Sequence, residues 1–159
     1  MKQLQEQGGR NPEGDSLIIR TAVRLLVPFI QLYGLYVIVH GHYSPGGGFQ
    51  GGVILGGSFI LLALAYDMQE SMRYMSRRIN ALLSNAGAAI FVGTGVLAGL
   101  FGGLFLDYSA LDKLIPLGPI EWRSFGIFVV EVGVGLTVMS IMVLLYWSIA
   151  SGGAMDEGL

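Results

Sequence analysis

The sequence contains no cysteine and only two histidines among its 159 residues. The absence of thiolates excludes disulfides, iron–sulfur clusters and zinc–thiolate sites. Charged residues make up 13% of the chain, whereas soluble domains carry about 25%. A net charge of −2 provides no basic surface, so we expect no nucleic-acid partner.

The sequence is rich in apolar residues instead of charged ones. They form 53% of the sequence, and the mean hydropathy is +0.63. About 20 apolar residues in a helix cross the hydrocarbon core of a bilayer. The composition therefore predicts an all-α integral membrane bundle of four transmembrane helices. The predicted spans are residues 17–39, 46–66, 81–106 and 124–150, between a polar tail at 1–16 and a C-terminal tail at 151–159. We expect the first span to act as its own insertion signal, with no cleaved signal peptide.

The region from His40 to Gly57 is rich in glycine, which makes up eight of its eighteen residues. The apolar run that follows, Val53 to Tyr66, would cover only about 21 Å as a helix, so the second span must begin near Gly46. Backbone at that depth must be helical or covered by protein. Close helix packing is therefore predicted along the glycine row that starts at the hairpin and along a second row in the third span: Gly48, Gly52 and Gly56, and Gly95, Gly99 and Gly103.

The basic residues predict the orientation in the membrane. Four spans place both termini on one side, and seven of the nine basic residues share that side. By the positive-inside rule both termini are cytoplasmic, in a multi-pass protein of the cell membrane. The charged connection at 67–80 is expected to be too polar to bury, and the loop at 107–123 to lie partly in the membrane interface. The inside residues are Lys2, Arg10, Arg20, Arg24, Arg73, Arg77 and Arg78.

The hairpin resembles the signature of the MnhB/MrpB family, which reads G-H-x-x-P-G-G-G-F-x-G-G. The matching residues are Gly41, His42, Pro45, Gly46, Gly47, Gly48, Phe49, Gly51 and Gly52. The resemblance extends over about residues 17–150, counted from the first to the last predicted span. It implies a small B subunit of a multisubunit Mrp-type Na⁺/H⁺ antiporter, with other membrane subunits and the lipid bilayer as partners and Na⁺ and H⁺ as the transported ions. The same module in the membrane foot of a hydrogenase or related respiratory complex is an alternative.

Glu131 is the one acidic residue well inside a predicted span, as the eighth residue of the fourth helix. That position lies about 10 Å from the outer end. An ionised carboxylate in hydrocarbon is costly, so the side chain should be protonated or paired. One interpretation makes it a station on a proton or cation path. The other makes it a hydrogen-bonding strut at a helix or subunit contact.

His40 and His42 are the other candidates for an ion path, at the outer mouth, because histidine titrates near neutrality. The alternative, an amphipathic ring that anchors the turn at the interface, is favoured. Two histidines so close together cannot hold a haem between helices, and no acidic cluster joins them. We therefore expect no cofactor and no metal site. Asp67 and Asp107 fall at the ends of spans and are expected to be boundary residues.

Three classes of function remain open from the sequence. The first is a cation/proton antiporter subunit that packs between its neighbours and lines an ion path. The second is a structural wedge that seals neighbouring subunits and carries no ion. The third is a stand-alone channel or carrier, which is disfavoured because Glu131 is the lone deep charge. A phosphate-binding loop at Pro45–Gly48 is excluded because no Lys-Ser/Thr follows. We expect no catalysis by this chain itself, and any redox chemistry of a host complex would reside in other subunits.

Overall fold

The computed structural model describes residues 12–41, 43, 45–66, 68–101, 104–113 and 118–151. Four long helices in these ranges are apolar and long enough to cross a membrane. This confirms the predicted class, an all-α membrane bundle with a glycine-rich hairpin between its first two spans. The helices are α1 (Pro12–Val39), α2 (Gly48–Tyr66), α3 (Met68–Tyr74), α4 (Arg77–Leu100) and α5 (Pro119–Ala150), with a 3-10 helix at Tyr108–Lys113.

Helix α4 differs most from its predicted bounds. It begins four residues before the predicted start at Ala81, because the Ser76 side chain accepts a hydrogen bond of 3.3 Å from the Ile79 N–H and caps the helix. It ends at Leu100, six residues before the predicted end at Leu106. Leu106 has a positive φ of 67°, which a right-handed helix does not allow.

Helix α5 begins at Pro119, five residues before the predicted start at Ser124. Proline suits the first turn of a helix, since its missing N–H would have no partner there. Helix α2 begins at Gly48 instead of Gly46, because Gly46 has a φ of 155°, outside the helical range. The apolar part of α1, Leu17–Val39, coincides with the predicted first span.

Helix α5 is the central element of the bundle. It packs against α1, α2 and α4, while α2 lies between α1 and α5. One buried cluster forms around Met139, Val143 and Trp147 of α5, and a second joins α1 to α2. The two central helices, α2 and α5, therefore carry the contacts that position the hairpin.

The cytoplasmic ends of α1 and α2, as the topology predicts them, are joined by polar contacts. The Tyr66 hydroxyl donates a 2.9 Å hydrogen bond to the Arg20 carbonyl oxygen, and Arg20 Nε donates one of 3.3 Å to the Ala65 carbonyl. The Arg20 guanidinium also lies over the Tyr66 ring, 5.8 Å from its centroid. These contacts fix α1 and α2 as an antiparallel pair closed at one end by the glycine hairpin.

The segment 67–80, which was expected to be too polar to bury, is partly buried. Ser71, Met75 and Asn80 are at most 5% exposed, whereas Arg73 and Arg78 lie on the surface. The reason is that α3 turns its methionines toward the cluster around Met139 and Val143, and Arg73 outward. Asn80 is accommodated because its amide Nδ2 donates a 2.9 Å hydrogen bond to the Ser140 carbonyl oxygen.

Some predictions concern residues outside the described ranges. These are the polar tail up to residue 11, the C-terminal tail from residue 152, the interfacial residues 114–117, and His42, Asp67 and Gly103.

Candidate functional site

The predicted glycine row of α2 lies against α5 of the same chain. A β-carbon on Gly48 would collide with the main chain of Glu131, and one on Gly52 would lie 2.7 Å from the Gly135 carbonyl oxygen. At Gly56 the neighbours are Met139 and Met142. The two helices therefore approach backbone to backbone, as small residues allow in membranes. This approach brings Glu131 to the first turn of α2.

The Glu131 side chain fills the space left by two further glycines of the hairpin. A β-carbon on Gly41 would collide with both carboxyl oxygens, and one on Gly47 would lie 3.0 Å from Oε1. Glu131 is half-buried and its Oε2 atom is inaccessible. Three glycines of the signature, Gly41, Gly47 and Gly48, thus surround one acidic residue. We call this arrangement the Glu131 seat.

The Glu131 seat lies at the electropositive end of α2. The Gly47 carbonyl accepts the first helical hydrogen bond, at 2.9 Å from the Gly51 N–H. The N–H groups of the first turn have no partner inside the helix, and the helix dipole adds partial positive charge there. A carboxyl group beside Gly47 is therefore placed where negative charge is stabilised, which lowers the cost of holding it near hydrocarbon.

The depth of Glu131 differs from the sequence estimate. Because α5 begins at Pro119, Glu131 is its thirteenth residue, about 18 Å along the helix instead of about 10 Å. Helix α2 covers about 28 Å, close to a full hydrocarbon core, and Glu131 is level with its first residue. The carboxyl group therefore lies at the hairpin-side edge of the core, and the first turns of α5 extend beyond it.

His40 lies at the end of α1, beside the seat residue Gly41. Its ring stacks on Tyr36 with centroids 4.2 Å apart, and its Nδ1 is 3.1 Å from the Tyr36 carbonyl oxygen. Such contacts are those expected of a ring that anchors the turn. A role of His40 in proton transfer stays a prediction.

The remaining signature and packing residues have different surroundings. Phe49 is 66% exposed and Pro45 is also exposed, whereas Gly51 packs on Ile38 of α1. In α4, a β-carbon on Gly95 would meet the Phe105 ring, and one on Gly99 would meet no atom of the described residues within 4 Å.

The partners of these glycines on α5 were missed by sequence reasoning. Gly135 receives Gly52, and Gly133 lies against Gly87 of α4. The signal was present as a Gly-x-Gly pair at residues 133–135, inside the fourth span. Spacing alone does not show which helices meet, so the pair was not assigned a role.

The described residues contain no group of three histidine, aspartate or glutamate side chains close enough to hold a metal ion. The Glu131 seat offers one carboxyl group and backbone, which suits proton exchange or a passing cation better than a resident metal. Chemically, the arrangement holds one titratable group at a helix terminus near the membrane edge.

A bundle of four membrane-crossing helices, closed at one end by a glycine hairpin over an acid of its last span, defines a multi-pass membrane protein. The chain belongs to the MnhB family, described as a domain related to the MnhB subunit of Na⁺/H⁺ antiporter, whose sequence profile matches residues 18–144. The resemblance drawn from the hairpin is thereby confirmed.

Similar proteins carry a consistent name. A protein of Staphylococcus haemolyticus named "Putative antiporter subunit mnhB2" is 32% identical over 139 residues, which cover 87% of this chain and 96% of the relative. Proteins of the same name from Staphylococcus epidermidis and Staphylococcus aureus are 31% and 30% identical over the same length. The similarity therefore extends over nearly the whole of each relative.

Proposed function

We propose that this chain is a membrane subunit of a multisubunit Na⁺/H⁺ antiporter and that the Glu131 seat is a station on its ion path. Membership of the MnhB family and the names of the relatives support the first part. They favour a dedicated antiporter over the hydrogenase-type complex. Other membrane subunits are the partners, in a cell membrane where both termini of this chain are cytoplasmic.

The observation that carries the second part is the contact of Glu131 with Gly41 and Gly47. A carboxyl group exchanges a proton or attracts a cation, and the start of α2 stabilises its charged form. The carboxyl also lies at the edge of the hydrocarbon core, where an ion would enter or leave the membrane. Na⁺ and H⁺ are the ions that the family relation indicates.

The structural wedge is the second candidate, and the same contacts support it. A carboxyl group that fills a glycine-lined space also holds the hairpin against α5 without carrying an ion. The two functions differ in one respect. An ion station needs a group that releases a proton, whereas a strut needs only a group of the same shape with hydrogen-bonding ends.

Glu131→Gln separates the two functions. Glutamine keeps the shape of the side chain but cannot release a proton, so we expect the complex to assemble and coupled Na⁺/H⁺ exchange in membrane vesicles to be impaired. Glu131→Leu should reduce both assembly and exchange, since it also removes the polar ends at a cost of about 1–3 kcal/mol.

Assembly is measured on the same membranes by the amount of partner subunits that copurify with this chain. Normal exchange by fully assembled Glu131→Gln complex would reject the ion station and leave the wedge. A chain that copurifies with no other membrane subunit would reject the antiporter assignment itself.

A further inference from the structure

Helix α4 is the least covered of the four spans. Only 17% of its apolar window is buried within the chain, compared with 44% for α2. Its exposed side carries six residues spaced three or four apart, none larger than valine: Ala81, Asn85, Ala88, Val92, Val96 and Gly99. Residues at this spacing lie on one face of a helix. We call them the α4 outer face.

Asn85 makes the α4 outer face unsuited to lipid. It lies eight residues beyond Arg77, about 12 Å along α4 and thus within the hydrocarbon core. Its side chain is exposed and has no hydrogen bond to any residue that the structure describes. Lipid tails offer no partner to an amide, so the face needs a neighbour that does.

Two further features specify what that neighbour is. A groove of about 270 Å³ between α4 and α5 borders the face, lined by Ala88, Phe91, Val92, Val134, Thr137 and Val138. It is apolar and large enough for a bulky side chain. Gly99 has no described atom within 4 Å of where its β-carbon would lie, so no residue that the structure describes requires a glycine at that position. A second backbone close to α4 accounts for it.

We propose that the α4 outer face binds a transmembrane helix of another subunit of the complex. That helix presents a polar side chain to Asn85 and inserts a bulky apolar side chain into the groove beside Ala88. The proposal rests on the proposed function, because it takes the occupant from a multisubunit antiporter. It goes beyond that function by assigning the contact to one helix face.

The test uses the full complex in membranes and places a photo-crosslinking residue at Val96. We expect crosslinks to a polypeptide that mass spectrometry identifies as another membrane subunit that copurifies with this chain. Asn85→Leu should weaken that crosslink and reduce the yield of assembled complex by about threefold to tenfold, as the loss of one interhelical hydrogen bond would. Gly99→Leu should do the same, although a β-carbon at that position meets no described atom within 4 Å.

Ala86→Leu is the matched control. Ala86 is also exposed on α4, but one residue beyond Asn85 and therefore about 100° around the helix from it. It should leave the crosslink and the yield unchanged. Crosslinks only to lipid, or to a second 17.0 kDa copy of this chain, would overturn the proposal. If partner subunits still copurify in that case, the proposed function stands, and the two failures are distinguished.

Discussion

The main chain of Glu131 lies so close to Gly48 that a β-carbon there would collide with it, so α5 and α2 touch backbone to backbone at the start of α2. The contact explains two features at once. It accounts for a glycine in the first turn of α2, and it places the Glu131 carboxyl group beside the electropositive end of another helix. Three glycines of the sequence signature therefore form the candidate site together with Glu131.

Gly48→Ala should destabilise the bundle, because the added methyl group would collide with the Glu131 main chain. Overpacking of this kind costs about 1–3 kcal/mol. Gly57→Ala, in the same helix, is the control, since a β-carbon there meets no neighbouring atom of the described residues within 4 Å. Thermal unfolding of both variants in detergent measures the difference. Equal stability of the two variants would mean that α2 and α5 are further apart than described.

Gly41→Ala should disturb the Glu131 carboxyl group specifically, because the new methyl group would collide with both of its oxygens. We expect Na⁺/H⁺ exchange to fall while α2 stays packed on α5, since Gly41 lies outside both helices. The double variant with Glu131→Gly should lose little more exchange than Glu131→Gly alone, because the collision is then gone. Strictly additive losses would show that Gly41 acts through another group.

Asn80→Asp should destabilise the chain more than Asn80→Leu does. The amide donates to the Ser140 carbonyl oxygen and is 1% exposed, and a carboxylate cannot donate there. An uncompensated buried charge costs about 3–5 kcal/mol, whereas leucine only removes one neutral hydrogen bond. The yield of folded protein after detergent extraction is the measurement. A higher yield of folded Asn80→Asp than of folded Asn80→Leu would contradict the prediction.

Both termini and the Arg73–Arg78 connection should be cytoplasmic, as the basic residues predict. Because the chain has no cysteine, single introduced cysteines report only on themselves. Tyr43→Cys in the hairpin should react with a membrane-impermeant maleimide from outside, and Tyr74→Cys only after permeabilisation. Tyr43 and Tyr74 are 82% and 64% exposed, respectively. The reverse pattern would invert the topology.

Tyr108, in the loop between α4 and α5, should weaken the fold at alkaline pH. Burial raises the pKa of its hydroxyl above the usual value of 10.0, so the neutral form is favoured in the folded state. That stabilisation is complete below pH 10 and is lost as the pH rises through the folded pKa. Tyr108→Phe should therefore flatten the fall in melting temperature above pH 10. If the melting temperature of the variant falls as steeply as that of the unchanged protein, groups other than Tyr108 cause the fall.

The glycine row of α2 shows how much of the helix packing could be predicted from the sequence. The spacing of Gly48, Gly52 and Gly56 puts them on one helix face, and the structure places that face against α5. The identity of the partner helix was not predictable, because the two surfaces are about 80 residues apart along the chain, and ridge-and-groove packing has several near-equivalent solutions. The bounds of α4 and α5 were missed for a local reason. The Ser76 cap and Pro119 extend both helices into polar residues that hydropathy assigns to loops.

Composition and hydropathy by themselves determined that the chain is a four-span membrane protein, since each helix must satisfy its own backbone in hydrocarbon. The residues of the glycine-rich hairpin identified the family. Only the tertiary structure decided what those glycines accommodate. A missing side chain is visible in a sequence, but the Glu131 carboxyl group that fills the space comes from another helix, and its position depends on how α5 packs against α2.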